Sequence, residues 1–233
     1  MNTTDHPGFF ERGQMMLIDK PLEWTSFDVV RKLRNAMKIK KVGHAGTLDP
    51  LATGLLIVCT GKFTKKINEY MAQEKEYTGT ITLGATTPTY DLESEPVNFQ
   101  TVPPLDIQAL QAATVPFTGA IDQIPPAHSA IKVDGKRVYE LARKGVDVVL
   151  EPRRITIYAF EITAFESPVV HFRVQCSTGT YIRSLAHDFG QALGCGGYLS
   201  ALCRTRIGEF KVSDAMNMDQ ALQFISDNKD QKG

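Results

Sequence analysis

Apolar residues recur along the chain at two spacings. SFDVVRKLRNAMK (26–38) puts Val29, Val30, Leu33 and Met37 on one face at the helical period, with Ser26 as the capping residue. EYTGTITLG (76–84) alternates instead, with Tyr77, Gly79, Ile81 and Leu83 on one side and threonines on the other, which predicts a half-buried strand. Short apolar runs predict further strands in QMMLIDKP (14–21), LLIVC (55–59), RRITIYAFEITAF (153–165), VVHFRVQCS (169–177) and RIGEFKV (206–212). Helical spacing returns in KFTKKINEYMA (62–72), where Phe63, Ile67, Tyr70 and Met71 share a face. It returns again in GTYIRSLAHDFGQALG (179–194), with Ile182, Leu185, Ala186, Phe189 and Leu193 inward. Short helices are expected after Asp106 and near 219–226, and AHSAIKVDGKRVYELARKG (127–145) reads as a strand, an Asp-Gly turn and a helix ending at Gly145. Residues 85–104, rich in Thr and Pro, read as loop. Many strands among a few helices, without regular alternation, predict an α+β mixed sheet rather than a doubly wound parallel one.

Composition narrows this picture. With 233 residues and 42% hydrophobic content, the chain can bury a core as one large domain or two small ones. Its 26 Lys and Arg balance 26 Asp and Glu, so total charge points to no nucleic-acid partner and only local clustering can. One such cluster is RKLRNAMKIKK (31–41), six cations without an acid, read either as a solvated helix face or as a phosphate-binding surface. Residues 132–154 form a second, diluted by acids, and Arg204 with Arg206 a third basic spot. Cys59, Cys176, Cys195 and Cys203 form no C-x-x-C pair, which fits reduced thiols in a cytoplasmic protein and argues against zinc. No apolar run reaches the ~18 residues a membrane span requires, so no membrane partner is expected.

The richest stretch for chemistry is GHAGTLDPLATG (43–54). Its glycines at 43, 46 and 54 allow positive φ or close backbone approach, and Pro50 restricts Asp49 to extended conformations. Locally the stretch reads as a turn, or as a G-x-x-G clamp on nucleic-acid backbone, although Pro50 interrupts the helix such a clamp requires. A lone carboxylate serves as metal ligand, general base or nucleophile. His44 is the one ligand type nearby, so a metal centre is disfavoured, and the other two roles call for an orienting cation. Arg183, in the first turn of a helix committed to the core, needs a partner or solvent, and a paired arginine would hold an aspartate ionised.

GHAGTLDPLATGLL resembles the signature of the TruB family of pseudouridine synthases. MLIDKP, KEYTGTITLG, TPTYD, IPPAHSAIKVDGKRVYELARKG, GTYIRSLAHDFG and CRTRIGEF are similar to the family's other blocks, in the family's order. The resemblance implies a mainly antiparallel curved sheet flanked by helices, the pseudouridine synthase fold, with an RNA-clamping thumb insertion at about 124–152. It implies one catalytic domain over 1–233 with a C-terminal remnant at 212–233; the two dozen or so residues after CRTRIGEF leave no room for the PUA domain of longer members. The activity implied is conversion of one uridine in the TΨC loop of tRNA to pseudouridine, by a monomer without a cofactor. Asp49 matches the nucleophile, which attacks either the anomeric carbon or the uracil ring. Arg183 matches its arginine partner, and Tyr77 the tyrosine that stacks on the base and assists deprotonation of C5, a residue whose bland reading is a core-facing strand aromatic. His44, Lys20, Asp91, Tyr181 and Leu202 match positions that contact the RNA, its displaced loop or the flipped nucleotide. Ala45 stands where a hydroxyl residue is common. Competing expectations are a non-catalytic tRNA-binding or folding module, a synthase acting on other RNAs, and a guide-RNA-dependent synthase, which the short chain argues against.

Overall fold

The computed structural model of the chain describes residues 8–126, 132–133, 136–137, 150–229 and 231. In chain order its elements are helix α1 (Phe9–Arg12), strand β1 (Met15–Lys20), helix α2 (Ser26–Met37), strands β2 (Val42–Ala45) and β3 (Ala52–Thr60), helix α3 (Ile67–Ala72) and strand β4 (Lys75–Leu83). Helix α4 (Ile107–Ala113) follows, then strands β5 (Gly119–Gln123), β6 (Lys132–Val133), β7 (Lys136–Arg137), β8 (Arg153–Glu166) and β9 (Val169–Cys176). Helix α5 (Ile182–Ala192), strands β10 (Gly197–Ile207) and β11 (Phe210–Lys211), and helix α6 (Met218–Asn228) complete the set. The chain divides into two compact units, Met1–Tyr77 with Cys203–Gly233, and Thr78–Leu202. It passes from one to the other within β4 and returns within β10. The expected α+β class with a mainly antiparallel sheet holds, since β1–β3, β2–β3, β5–β8, β8–β9 and β10–β11 are all antiparallel.

In the first unit β3 is the organising strand. LLIVC is apolar on consecutive positions because both faces of the strand are covered. Leu56 and Val58 pack with Met16 and Ile18 of β1, Val29, Leu33 and Met37 of α2, and Ala221 and Ile225 of α6. Leu55, Ile57 and Cys59, on the alternate face, pack with Ala45 and Ile207. The apolar face expected for α2 is thus the buried one, but its cap is not Ser26. Thr25 caps the helix: its side chain accepts from the Asp28 N–H at 3.0 Å, while Asp28 Oδ2 accepts from the Thr25 N–H at 3.1 Å. This reciprocal box releases Ser26 into the first turn, where it is buried.

The segment 62–72 begins as a tighter helical turn over Gly61–Lys66 and becomes α-helical only at Ile67; Met71, expected inward, is 40% exposed. His44 lies on a strand rather than in a turn-rich loop, since Val42–Ala45 pairs with the end of β3.

In the second unit the strand order is β10-β4-β9-β8-β5. The alternation of β9 buries Val170, Phe172, Val174 and Cys176, and Phe160 of β8 meets Phe172 and Phe189 edge to face. Gly79 on β4 is required for packing, because a Cβ there would lie 2.3 Å from the Ala201 carbonyl oxygen. The start of α5 has no side-chain cap of its own. Instead Gln123 of β5 donates to the Tyr181 carbonyl at 3.0 Å and accepts from the Tyr181 N–H at 2.8 Å, and Ser184 donates to the Ile124 carbonyl at 2.8 Å.

Strands β2, β5 and all of β10 before Arg206 were not expected: they are short, glycine-bearing or polar. The paired strands β6 and β7 fit the expected hairpin, but its turn, the helix ending at Gly145 and most of the thumb at 124–152 lie outside the described residues.

Candidate active site

Asp49 sits half-buried on the loop 46–51 joining β2 to β3. Three buried polar side chains of the first unit hold the peptides around it. Ser26 Oγ accepts from the Leu48 N–H at 2.9 Å and donates to the Leu48 carbonyl at 3.2 Å. Lys20, fully buried, donates to the carbonyls of Pro21, Trp24 and Pro50. Arg204 of β10, only 1% exposed, donates to Leu55 O at 2.8 Å and Gly46 O at 3.0 Å. The Glu23 N–H reaches the Pro50 carbonyl at 2.9 Å, and the Ala52 N–H reaches Asp49 O at 3.1 Å. The glycine at position 54 allows this arrangement: its φ is +98°, and a Cβ would come within 2.4 Å of the Arg204 carbonyl oxygen. Glycine thus lets the strand carrying Arg204 approach the loop.

This setting shapes the local titrations. Burial lowers the Lys20 pKa to about 8, with the Arg204 cation adding to the fall and the nearby Asp49 carboxylate opposing it. Burial, and then the Arg204 charge, push His44 below the ordinary imidazole range, so its ring is neutral near pH 7.

The second unit holds another ionic arrangement. Arg183 Nη1 lies 3.6 Å from Asp91 Oδ2, both side chains about 6% exposed, and donates to the Thr89 carbonyl at 3.3 Å. Asp91 Oδ1 accepts from the Glu93 N–H at 3.0 Å. The preceding Tyr90 stacks on His187, ring centroids 3.9 Å apart, one helical turn beyond Arg183 on α5.

The residues singled out in the sequence therefore fall into groups. Lys20, His44 and Asp49 belong to the first unit, with the Lys20 ammonium held by the carbonyl of Pro50, next to Asp49. Asp91, Tyr181 and Arg183 belong to the second, where Asp91 and Arg183 pair. Tyr77, 8% exposed on β4, and Leu202, half-buried on β10, are the residues at which the chain changes unit. Sequence reasoning missed Ser26, taken for a cap, and Arg204, seen only as surface charge. The CRTR block carried the sole hint of the latter. Among the described residues no group of His, Cys, Asp and Glu could hold a metal ion, and no helix is long and apolar enough to cross a membrane.

Comparison with solved structures defines the class first. The chain matches one in a Cbf5-Nop10-Gar1 complex with TM-score 0.71 and 28% identity, covering 96% of this chain and 60% of that one. It matches one in the archaeal box H/ACA sRNP Nop10-Cbf5 complex with TM-score 0.69 and 26% identity, covering 95% and 56%. An α+β fold of this kind is that of a pseudouridine synthase. The family follows from sequence. Residues 34–182 match the N-terminal domain of TruB family pseudouridylate synthase, and residues 183–232 match the tRNA pseudouridylate synthase B C-terminal domain. Flavobacterium johnsoniae tRNA pseudouridine synthase B is 54% identical over 221 residues, 91% of this chain and 96% of that protein. The Chlorobaculum tepidum protein of the same name is 50% identical over 221 residues, 93% and 92%. The chain belongs to the TruB family of pseudouridylate synthases.

Proposed function

We propose that this enzyme isomerises one uridine in the TΨC loop of tRNA to pseudouridine, with Asp49 as nucleophile. The observation that supports the reading best is the fixing of the peptides around Asp49 by Ser26, Lys20 and Arg204. A carboxylate whose backbone is held in this way loses little freedom on reaching the reacting atom. The Lys20 ammonium lies near enough for its charge and that of Asp49 to attract.

In this reading the uridine leaves its stack, at a cost of a few kcal/mol, and Tyr77 offers a stacking surface that offsets part of it. Asp49 bonds to the anomeric carbon or to the uracil ring, the N-glycosidic bond breaks, the base turns and its C5 bonds to the ribose, the bond to Asp49 breaks, and N1 gains a proton as C5 loses one. Tyr77 then assists removal of the C5 proton. Arg183 orients charge at the site, its own position fixed by Asp91. His44 and Lys20 of the first unit, and Asp91, Tyr181 and Leu202 of the second, contact the RNA, its displaced loop or the flipped nucleotide. The rearrangement conserves electrons and atoms, so it requires no cofactor. The enzyme works as a monomer in the cytoplasm, and its four cysteines are free thiols.

Asp49→Asn and Asp49→Ala abolish pseudouridine formation in a T-arm stem-loop while binding persists; turnover retained by either variant refutes the nucleophile. Carbodiimide mapping of RNA from cells lacking the protein loses one signal, at a single T-loop uridine; losses elsewhere refute the substrate.

A further inference from the structure

The first unit carries a cavity of about 540 Å³ lined by Glu11, Lys38, Ile39, Lys40, Lys41, Gly61 and Lys62. It lies at the opposite end of β3 from the Asp49 loop. Strand β3 runs from Ala52, next to that loop, to Thr60, next to Gly61. At about 3.3 Å per residue those ends are roughly 26 Å apart.

Three segments build the cavity and are locked to one another. The Gly61 N–H donates to the Lys41 carbonyl at 2.9 Å, which ties the turn bearing Lys62 to the segment bearing Lys38, Lys40 and Lys41. Thr60 Oγ1 donates to the Phe10 carbonyl at 2.7 Å and accepts from the Gln14 N–H at 2.9 Å, which ties in the segment bearing Glu11. Position 61 must be glycine, since a Cβ there would lie 2.1 Å from the Glu11 carbonyl oxygen.

The charge in this cavity is only partly compensated, four lysines lining it against one carboxylate, Glu11. None of the four lysines makes an ion pair or side-chain hydrogen bond among the described residues. The carboxylate of Glu11 is occupied by the Gly8 N–H at 3.2 Å. In a chain of zero net charge, four free ammonium groups around one cavity are not a by-product of composition. Complementing the helix dipole explains only part of them. Lys38 is the C-cap of α2, but the dipole's influence fades within the last turn, and Lys62 comes from another element.

We infer that this cavity is a phosphate-binding site that takes RNA backbone, a second contact with the tRNA remote from the flipped uridine. The inference rests on the functional reading above for the identity of the RNA. Lysines gathered in this way displace the counterions that phosphates condense, so the site adds affinity and salt sensitivity without sequence preference.

The test measures the dissociation constant of full-length tRNA against salt for the unsubstituted enzyme, K62E, K40E/K62E and K40Q/K62Q. A surface control, K211E, changes charge elsewhere in the same unit. The slope of log Kd against log salt falls by about 0.9 for each lysine that no longer meets a duplex phosphate. The double variants therefore lose about twice as much as K62E, and K211E loses nothing. Equal slopes in all variants, or an equal loss in K211E, overturn the proposal. So does a site that binds inorganic phosphate or pyrophosphate but leaves tRNA affinity untouched when charge-reversed, which marks a small-anion site. Pseudouridine formation by the unsubstituted enzyme on the same tRNA is read alongside. Its absence refutes the functional reading, while the salt slopes decide the cavity separately.

Discussion

The Ser26 hydroxyl bridges both polar groups of the Leu48 peptide, accepting from its N–H at 2.9 Å and donating to its carbonyl at 3.2 Å, across 22 residues of sequence. Both residues are buried, so neither half of the bridge can be replaced by bulk water. Ser26→Ala therefore leaves a buried donor and acceptor unmet, at a cost of about 1–3 kcal/mol. A lowered thermal midpoint is expected, together with slower single-turnover isomerisation, because Asp49 follows Leu48 directly. An unchanged rate in a destabilised protein would separate the bridge from the chemistry.

Arg183 and Asp91 form a pair about 6% exposed on each side. Breaking a buried pair by removing one partner costs about 3–5 kcal/mol, whereas removing both is far less harmful. Asp91→Asn and Arg183→Met each lower the denaturation midpoint, and the double variant regains much of the loss. Pseudouridine formation falls in all three. A double variant that recovers activity along with stability would assign the pair a purely structural role.

Burial draws the Lys20 pKa down to about 8 from 10.5. The sign of the linkage follows from proton counting: between those values the unfolded chain binds more protons than the folded one, so stability rises with pH across that window. Below about pH 8 the buried ammonium is charged in both states and this stabilisation is absent. Activity runs the other way, since deprotonation above about pH 8 leaves an amine with two donors for the three carbonyls, Pro50 among them, that it holds beside Asp49. The pH–rate profile of the unsubstituted enzyme shows an alkaline decline there, and Lys20→Met lacks it while turning over more slowly throughout. The same decline in Lys20→Met would assign the limb to another group.

Much of the scaffold was legible from local pattern. Val29, Val30, Leu33 and Met37 are all at most 6% exposed, as their helical spacing predicted, and Tyr77, Ile81 and Leu83 are buried as their alternation predicted. The Asp49 loop was also legible, because glycine and proline restrict backbone wherever they occur. The cap of α2 was misread by one residue, since Thr25 and Ser26 are chemically equivalent caps and Asp28 decides between them only through the box it forms with Thr25.

What the loop rests on was not legible. Arg204 reaches the Leu55 carbonyl across 149 residues of sequence, and in the chain it stands beside Arg206 as an ordinary cation. Folding separates the two: Arg204 is buried on carbonyls, whereas Arg206 reaches Glu74 at 2.7 Å. The same sorting puts Lys20 in a nest of carbonyls, sets Arg183 against Asp91, and leaves Lys38, Lys40, Lys41 and Lys62 around a cavity without an ion-pair partner among the described residues. The sequence by itself determined which segments form strands and helices, which faces are apolar and where a restrained carboxylate sits, because periodicity and backbone restriction act over a few neighbouring residues. Only the tertiary structure decided which cations are structural, which hold a carboxylate and which stay free, because burial and charge compensation depend on groups far apart in the chain.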